Sequence, residues 1–163
     1  MFKNKLLTII LSGFLAACIT PYEPPASGPL ATLTFEKHPQ QKTAGHIYSE
    51  AKDCIGRRVP LRTYDEANKT IVISANAAVS IAINYGIFPR DKYDFWGPPH
   101  CMPTGTFYPE SGKAYIARAL IDNENRICTL QISRIEGSQE TSVPFESKVP
   151  KIGDYEGGSW CIN

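Results

Sequence analysis

Apolar and polar residues alternate with a period of two in several short stretches of this chain. That is the pattern of β-strands with one buried face. Ala31, Leu33 and Phe35 alternate with Thr32 and Thr34. Residues 70–74 (TIVIS) and 78–85 (AVSIAINY) are rich in β-branched side chains and flank the link Ala75-Asn76-Ala77. Val79, Ile81, Ile83 and Tyr85 fall on one face, and Ser80, Ala82 and Asn84 on the other. The pair reads as a hairpin, although its link lacks the glycine that a tight turn prefers. Residues 114–121 (AYIARALI) and 127–134 (ICTLQISR) bracket a polar stretch from Asp122 to Arg126 and predict a second, clearer hairpin. Helical periodicity is scarce, and residues 46–54 (HIYSEAKDC) stay open between a strand and a short helix. Short strands separated by turns rich in Gly, Pro and Asn predict an all-β fold, an antiparallel sandwich of about seven strands.

The first residues follow a different pattern. Lys3 and Lys5 precede an uncharged apolar run from Leu6 to Ala17, twelve residues long. As a helix that run spans about 18 Å, well short of the roughly 30 Å hydrocarbon core of a bilayer. A positive start, an apolar middle and small residues at the end are instead the order of an export signal. Leu15-Ala16-Ala17-Cys18 resembles the lipobox of bacterial lipoproteins. The resemblance implies that residues 1–17 are a signal peptide and that Cys18 becomes the acylated first residue of the mature chain. Acyl chains at ~0.8 kcal/mol per buried CH₂ would then anchor the protein. Ile19, not aspartate, follows the cysteine, so the implied location is the outer membrane; an orientation toward the periplasm is a separate expectation that Ile19 does not supply.

That reading changes the cysteine arithmetic. The chain has five cysteines, and setting Cys18 aside leaves Cys54, Cys101, Cys128 and Cys161. An even set in an exported chain reads as two disulfides with three possible connectivities. No CxxC occurs, and the spacings match no zinc pattern. If 104–108, 114–121 and 127–134 are successive antiparallel strands, Cys101 and Cys128 lie at one end of the domain, within bridging distance. Cys54–Cys161 would then pin the C-terminal tail.

Removing 17 of 163 residues leaves a mature chain of 146, with 15 basic and 16 acidic residues. A single domain of this size buries about 68–70% of its unfolded surface. The near-zero charge offers no basic face for a phosphate backbone, so nucleic acid is not an expected partner. Residues 18–30 contain Pro21, Pro24, Pro25 and Pro29. They read as an extended tether with a reach of about 35 Å, ahead of a single domain at residues 31–163.

Phe107-x-Pro109-x-x-Gly112-x-x-Tyr115 resembles the corner at which immunoglobulin-like and fibronectin-type domains cross between sheets. There a tyrosine hydroxyl ties back to the backbone upstream, which implies an immunoglobulin-like sandwich with Tyr115 in that role. Antibody domains carry a cysteine two residues later, where this chain has Ala117, so that subclass is excluded. The same stretch, followed by a hairpin with a cysteine, also resembles small proteobacterial envelope lipoproteins of unassigned role.

Candidate chemistry is thin. His38, His46 and His100 form no HExxH or His-x-His motif, and each is expected to be solvated. No G-x-S-x-G elbow and no glycine-rich phosphate loop precedes a helix. No cofactor and no metal is expected. The most suggestive stretch is 85–103, YGIFPRDKYDFWGPPHCMP, where aromatics interleave with charges. Arg90, Tyr93, Asp94, Phe95 and Trp96 are the binding candidates, since rings supply contact area and charges supply orientation. The competing expectation is that these rings cap the open end of the core. Trp160, beside Cys161, is expected in the core. The expected function is a non-catalytic envelope lipoprotein presenting a β-sandwich to a protein partner. The alternative is a module that binds a small ligand or inhibits an enzyme through residues 85–103.

Overall fold

The structure is a computed structural model and describes residues 21–39, 42–86, 101–122, 127–150 and 158–162. It is all-β, two sheets packed as a sandwich. One sheet, here sheet A, is formed by β1 (Leu30–Phe35), β4 (Lys69–Ser74), β7 (Ala114–Asp122), β8 (Ile127–Glu136) and β9 (Gln139–Ser142), in the order β4-β1-β7-β8-β9. Sheet B contains β2 (Lys42–Glu50), β3 (Ile55–Leu61), β5 (Val79–Gly86), β6 (Thr104–Phe107), β10 (Glu146–Pro150) and β11 (Cys161–Ile162), in the order β11-β10-β6-β5-β2-β3. Every pairing is antiparallel except β1 with β7, which is parallel. Among the described residues the strands number eleven rather than about seven, because β3 and the short β9, β10 and β11 carry no clean apolar alternation. β3 holds Arg57, Arg58 and Pro60, and all four residues of β9 are exposed.

The alternation that marks each strand builds the core. Leu33 and Phe35 from β1, Ile71 and Ile73 from β4, Tyr115 and Ala117 from β7 and Ile132 from β8 all point inward. Ile47, Leu61, Ile81, Ile83, Tyr85 and Phe107 of sheet B meet them. Burying one such side chain contributes roughly 1.5–3 kcal/mol. The two sheets approach closely at Gly45, where a Cβ would stand 2.5 Å from the Phe35 ring. Any side chain there would push Phe35 out of the layer.

The expected pairing of 70–74 with 78–85 does not form. β4 pairs with β1 in sheet A, while β5 pairs with β2 and β6 in sheet B. The link between them is a crossing, not a hairpin turn. Ala75 N–H donates to Pro29 O (2.8 Å) and Asn76 N–H to Pro109 O (2.7 Å), with Asn76 at φ 58°. These bonds hold the link to other segments and send the chain to the opposite sheet. Ile71 and Ile73 consequently face Ile81 and Ile83 across the core. The second expected hairpin does form, with nine paired positions from Ala114↔Ile135 to Asp122↔Ile127. The open stretch 46–54 resolves into the end of β2 followed by a turn at residues 51–54. β2 is buried on both faces from Thr43 to Tyr48, which erased its alternation.

The corner after β6 matches its sequence signature. Pro109 is fully buried, Gly112 takes φ 75° and donates to Leu30 O (2.7 Å), and the Glu110 N–H donates to the Tyr115 hydroxyl (2.8 Å). The Tyr115 ring lies edge-on to Phe107, with centroids 5.4 Å apart. The hydroxyl thus fixes the passage from sheet B to sheet A. Tyr115→Phe keeps the ring but leaves that N–H without its acceptor. It should cost about 1–2 kcal/mol, read as a lower urea midpoint with an unchanged slope.

Candidate functional site

The segment that carries the binding candidates starts and ends on sheet B. Tyr85, near the end of β5, forms an isolated antiparallel bridge with Cys101. Tyr85 N–H donates to Cys101 O (2.9 Å), and Ile83 N–H donates to Pro103 O (3.2 Å). The chain therefore returns beside the point at which it left. Arg90, Tyr93, Asp94, Phe95 and Trp96 lie outside the described residues, as do Cys18 and His100. What the structure does define is the base on which residues 87–100 are mounted.

That base is closed three ways. Cys101 is bonded to Cys128 of β8, Cα–Cα 5.7 Å, which ties sheet B to sheet A. The expected pairing is therefore present, but β6 lies in the opposite sheet from β7 and β8. The bridge spans the sandwich instead of joining strands within one sheet. Second, Tyr85 is buried in the core and not part of a surface cluster. Its hydroxyl donates to Ala119 O (3.4 Å). Third, the half-buried His38 ring stands edge-on to Tyr85 at 5.5 Å, and His38 N–H donates to Thr43 Oγ1 (3.0 Å). By the chain-entropy argument a bridge closing 27 residues is worth about 3–4 kcal/mol. It also fixes the Cys101 end of the segment, while the backbone bridge holds the Tyr85 end to it.

The outer face of sheet B holds a second packed layer that the sequence reading missed. Tyr48, Cys54, Ala82 and Cys161 are buried there, with Met102 and Trp160 packed against them. Cys54–Cys161, Cα–Cα 5.4 Å, fastens the C-terminal segment to the turn after β2. Trp160 N–H donates to Cys54 O (3.1 Å), and Ser159 Oγ donates to Asp53 O (2.7 Å). Trp160 is thus half-buried outside the main core, with the Arg57 guanidinium 3.9 Å above its ring. Ser80 Oγ bonds Thr106 Oγ1 and donates to Ala51 O (2.6 Å), so these hydroxyls are joined as well as covered. His46, expected to be solvated, is 4% exposed. It sits opposite Ala82 on this covered face. The signal that was available lay in the outward positions of β5. Ser80 and Ala82 are small, as residues beneath a close-packed cover must be.

Among the described residues, no three His, Cys, Asp or Glu side chains gather as a metal site requires. The perturbed groups have structural causes. Arg118 is held ionised above its usual range by its hydrogen bond to Glu140 (2.9 Å), and it also pairs with Glu36 (3.0 Å). It thereby laces β7 to β9 and to the end of β1. Burial pushes the Tyr85 hydroxyl above its ordinary value of 10.0, and Glu36 adds to the effect. A raised tyrosine pKa means that stability is fully present below the unfolded value and is lost as pH climbs through the folded one. Wild-type stability should therefore fall as pH climbs past about 10, and Tyr85→Phe should flatten that fall, measured as the thermal midpoint against pH.

Comparison with family models, with curated proteins and with solved structures returns no match to this chain.

Proposed function

We propose that this protein is a non-catalytic lipoprotein of the bacterial cell envelope, anchored through Cys18, whose sandwich presents the 85–103 loop to a protein partner. The observation that carries the reading is where the cysteines go. Two bridges use Cys54, Cys161, Cys101 and Cys128. The fifth cysteine of the chain is Cys18, the one that closes Leu15-Ala16-Ala17-Cys18 after an apolar run. Two structural disulfides fit an oxidising compartment, and residues 1–17 have the order of a signal that would deliver the chain there. The anchor is assigned to the outer membrane, because Ile19 and not aspartate follows the cysteine, and the domain is read as facing the periplasm.

For the partner, the supporting feature is the clamped base of the loop. A loop whose ends are fixed by a bridge and a disulfide loses less entropy on binding than one on free ends. Arg90, Tyr93, Asp94, Phe95 and Trp96 are the residues that would make the contact. The same clamp favours a second reading, a module that holds a small ligand or blocks an enzyme. Crosslinking in intact envelopes separates a protein partner from a small ligand, since only the former leaves a covalent adduct of defined mass, and the identity of the adduct tells an inhibited enzyme from another partner.

The anchor has a direct test. Cys18→Ser should leave an unacylated precursor that still carries residues 1–17. Radiolabelled palmitate should mark the wild type and not the variant. Equal labelling of both would refute the assignment of Cys18.

A further inference from the structure

Tyr22 lies four residues beyond Cys18 in the proline-rich segment, yet it is not a free part of a spacer. Its ring packs against the main core, and its hydroxyl donates to Val72 O at 2.5 Å. Val72 is in β4, the outermost strand of sheet A. An outermost strand presents main-chain groups with no neighbouring strand to bond them. One of those carbonyls is therefore met by a side chain from the segment that leads to the anchor. Burial raises the pKa of this hydroxyl, which keeps it a donor. A second tie lies at the other end of the segment, where Pro29 O accepts from Ala75 N–H (2.8 Å).

We infer that Tyr22 is a clasp that holds the N-terminal segment on the edge of β4 and so sets how far the sandwich stands from the membrane. This rests on the proposed acylation of Cys18. With the clasp closed, only the four residues from Cys18 to Tyr22 separate the lipid from the domain, a reach of at most about 14 Å. With it open, the chain is free back to Pro29, where the bond from Ala75 holds it, and an extended proline-rich segment reaches about 34 Å. The clasp thus holds the domain near the bilayer, and opening it extends the domain outward. One hydrogen bond and one ring make the difference, so a partner that covers the β4 edge would release the domain as it binds.

The test uses the full mature protein in phospholipid nanodiscs, comparing wild type with Tyr22→Ala and Tyr22→Phe. Backbone amide order parameters at Glu23, Ala26, Ser27 and Gly28 should fall from rigid values of about 0.85 to below about 0.6 in Tyr22→Ala, and part of the way in Tyr22→Phe, which loses only the hydroxyl. Order parameters in both variants equal to wild type would overturn the clasp. Energy transfer from a labelled bilayer to a dye at Ser138 should report a larger separation in Tyr22→Ala, by more than about 10 Å on the reach arithmetic. An unchanged separation in that variant would overturn the role in setting distance. The intact mass of each sample reports acylation of Cys18 separately. A sample without acyl chains would refute the anchor, while the order-parameter comparison would still decide whether Tyr22 docks.

Discussion

The apolar contact between the two sheets is the interaction on which the rest of this domain depends. The chain crosses between sheets five times, after β1, β3, β4, β6 and β9. Neither sheet can therefore be completed without the other. Phe35 over Gly45 marks how tightly the layers meet. Each crossing takes the backbone out of a strand ladder, so its polar groups need partners elsewhere. After β4 those partners are Pro29 and Pro109, and after β6 the partner is the Tyr115 hydroxyl. The core brings the sheets together, and these side bonds decide where the chain changes sides.

The two disulfides extend the same logic to places where ladders run out. Cys101–Cys128 joins the sheets at the point where the chain leaves β5 and returns to β6. Cys54–Cys161 fastens the C-terminal segment over the outer face of sheet B. The longer link encloses 107 residues and is worth about 5 kcal/mol on the chain-entropy argument, against about 3–4 for the shorter. Both are large beside a typical net stability of ~5–15 kcal/mol. A small sandwich with few long strands gains from such bridges, and they fit the oxidising compartment proposed for the chain.

Local patterns were legible in the sequence, and partners were mostly not. Ala31, Leu33 and Phe35 announced β1, and Val79 to Tyr85 announced the inward face of β5. Alternation names the buried face of a strand without naming the strand beside it, which is why 70–74 and 78–85 read as a hairpin. The missing glycine at Ala75–Ala77 was the available warning. The corner was legible because Pro109, Gly112 and Tyr115 act over a few residues. The disulfide pairing was read correctly from a strand arrangement that differs from the one found, since both place Cys101 and Cys128 at the same end. His46 and Trp160 were misplaced because the cover of sheet B joins Tyr48 and Cys54 to Trp160 and Cys161, more than a hundred positions away in the chain. Of the candidate site, the clamped base is visible in the structure, while Arg90 to Trp96 lie outside the described residues.

The central claim is that four cysteines close the fold and the fifth carries lipid. Intact mass of the protein extracted from membranes, before and after reduction, tests it most directly. The account predicts the mass of residues 18–163 plus acyl groups, rising on reduction by the four hydrogens of two disulfides. A mass matching the unmodified 163-residue chain, unchanged by reduction, would contradict it.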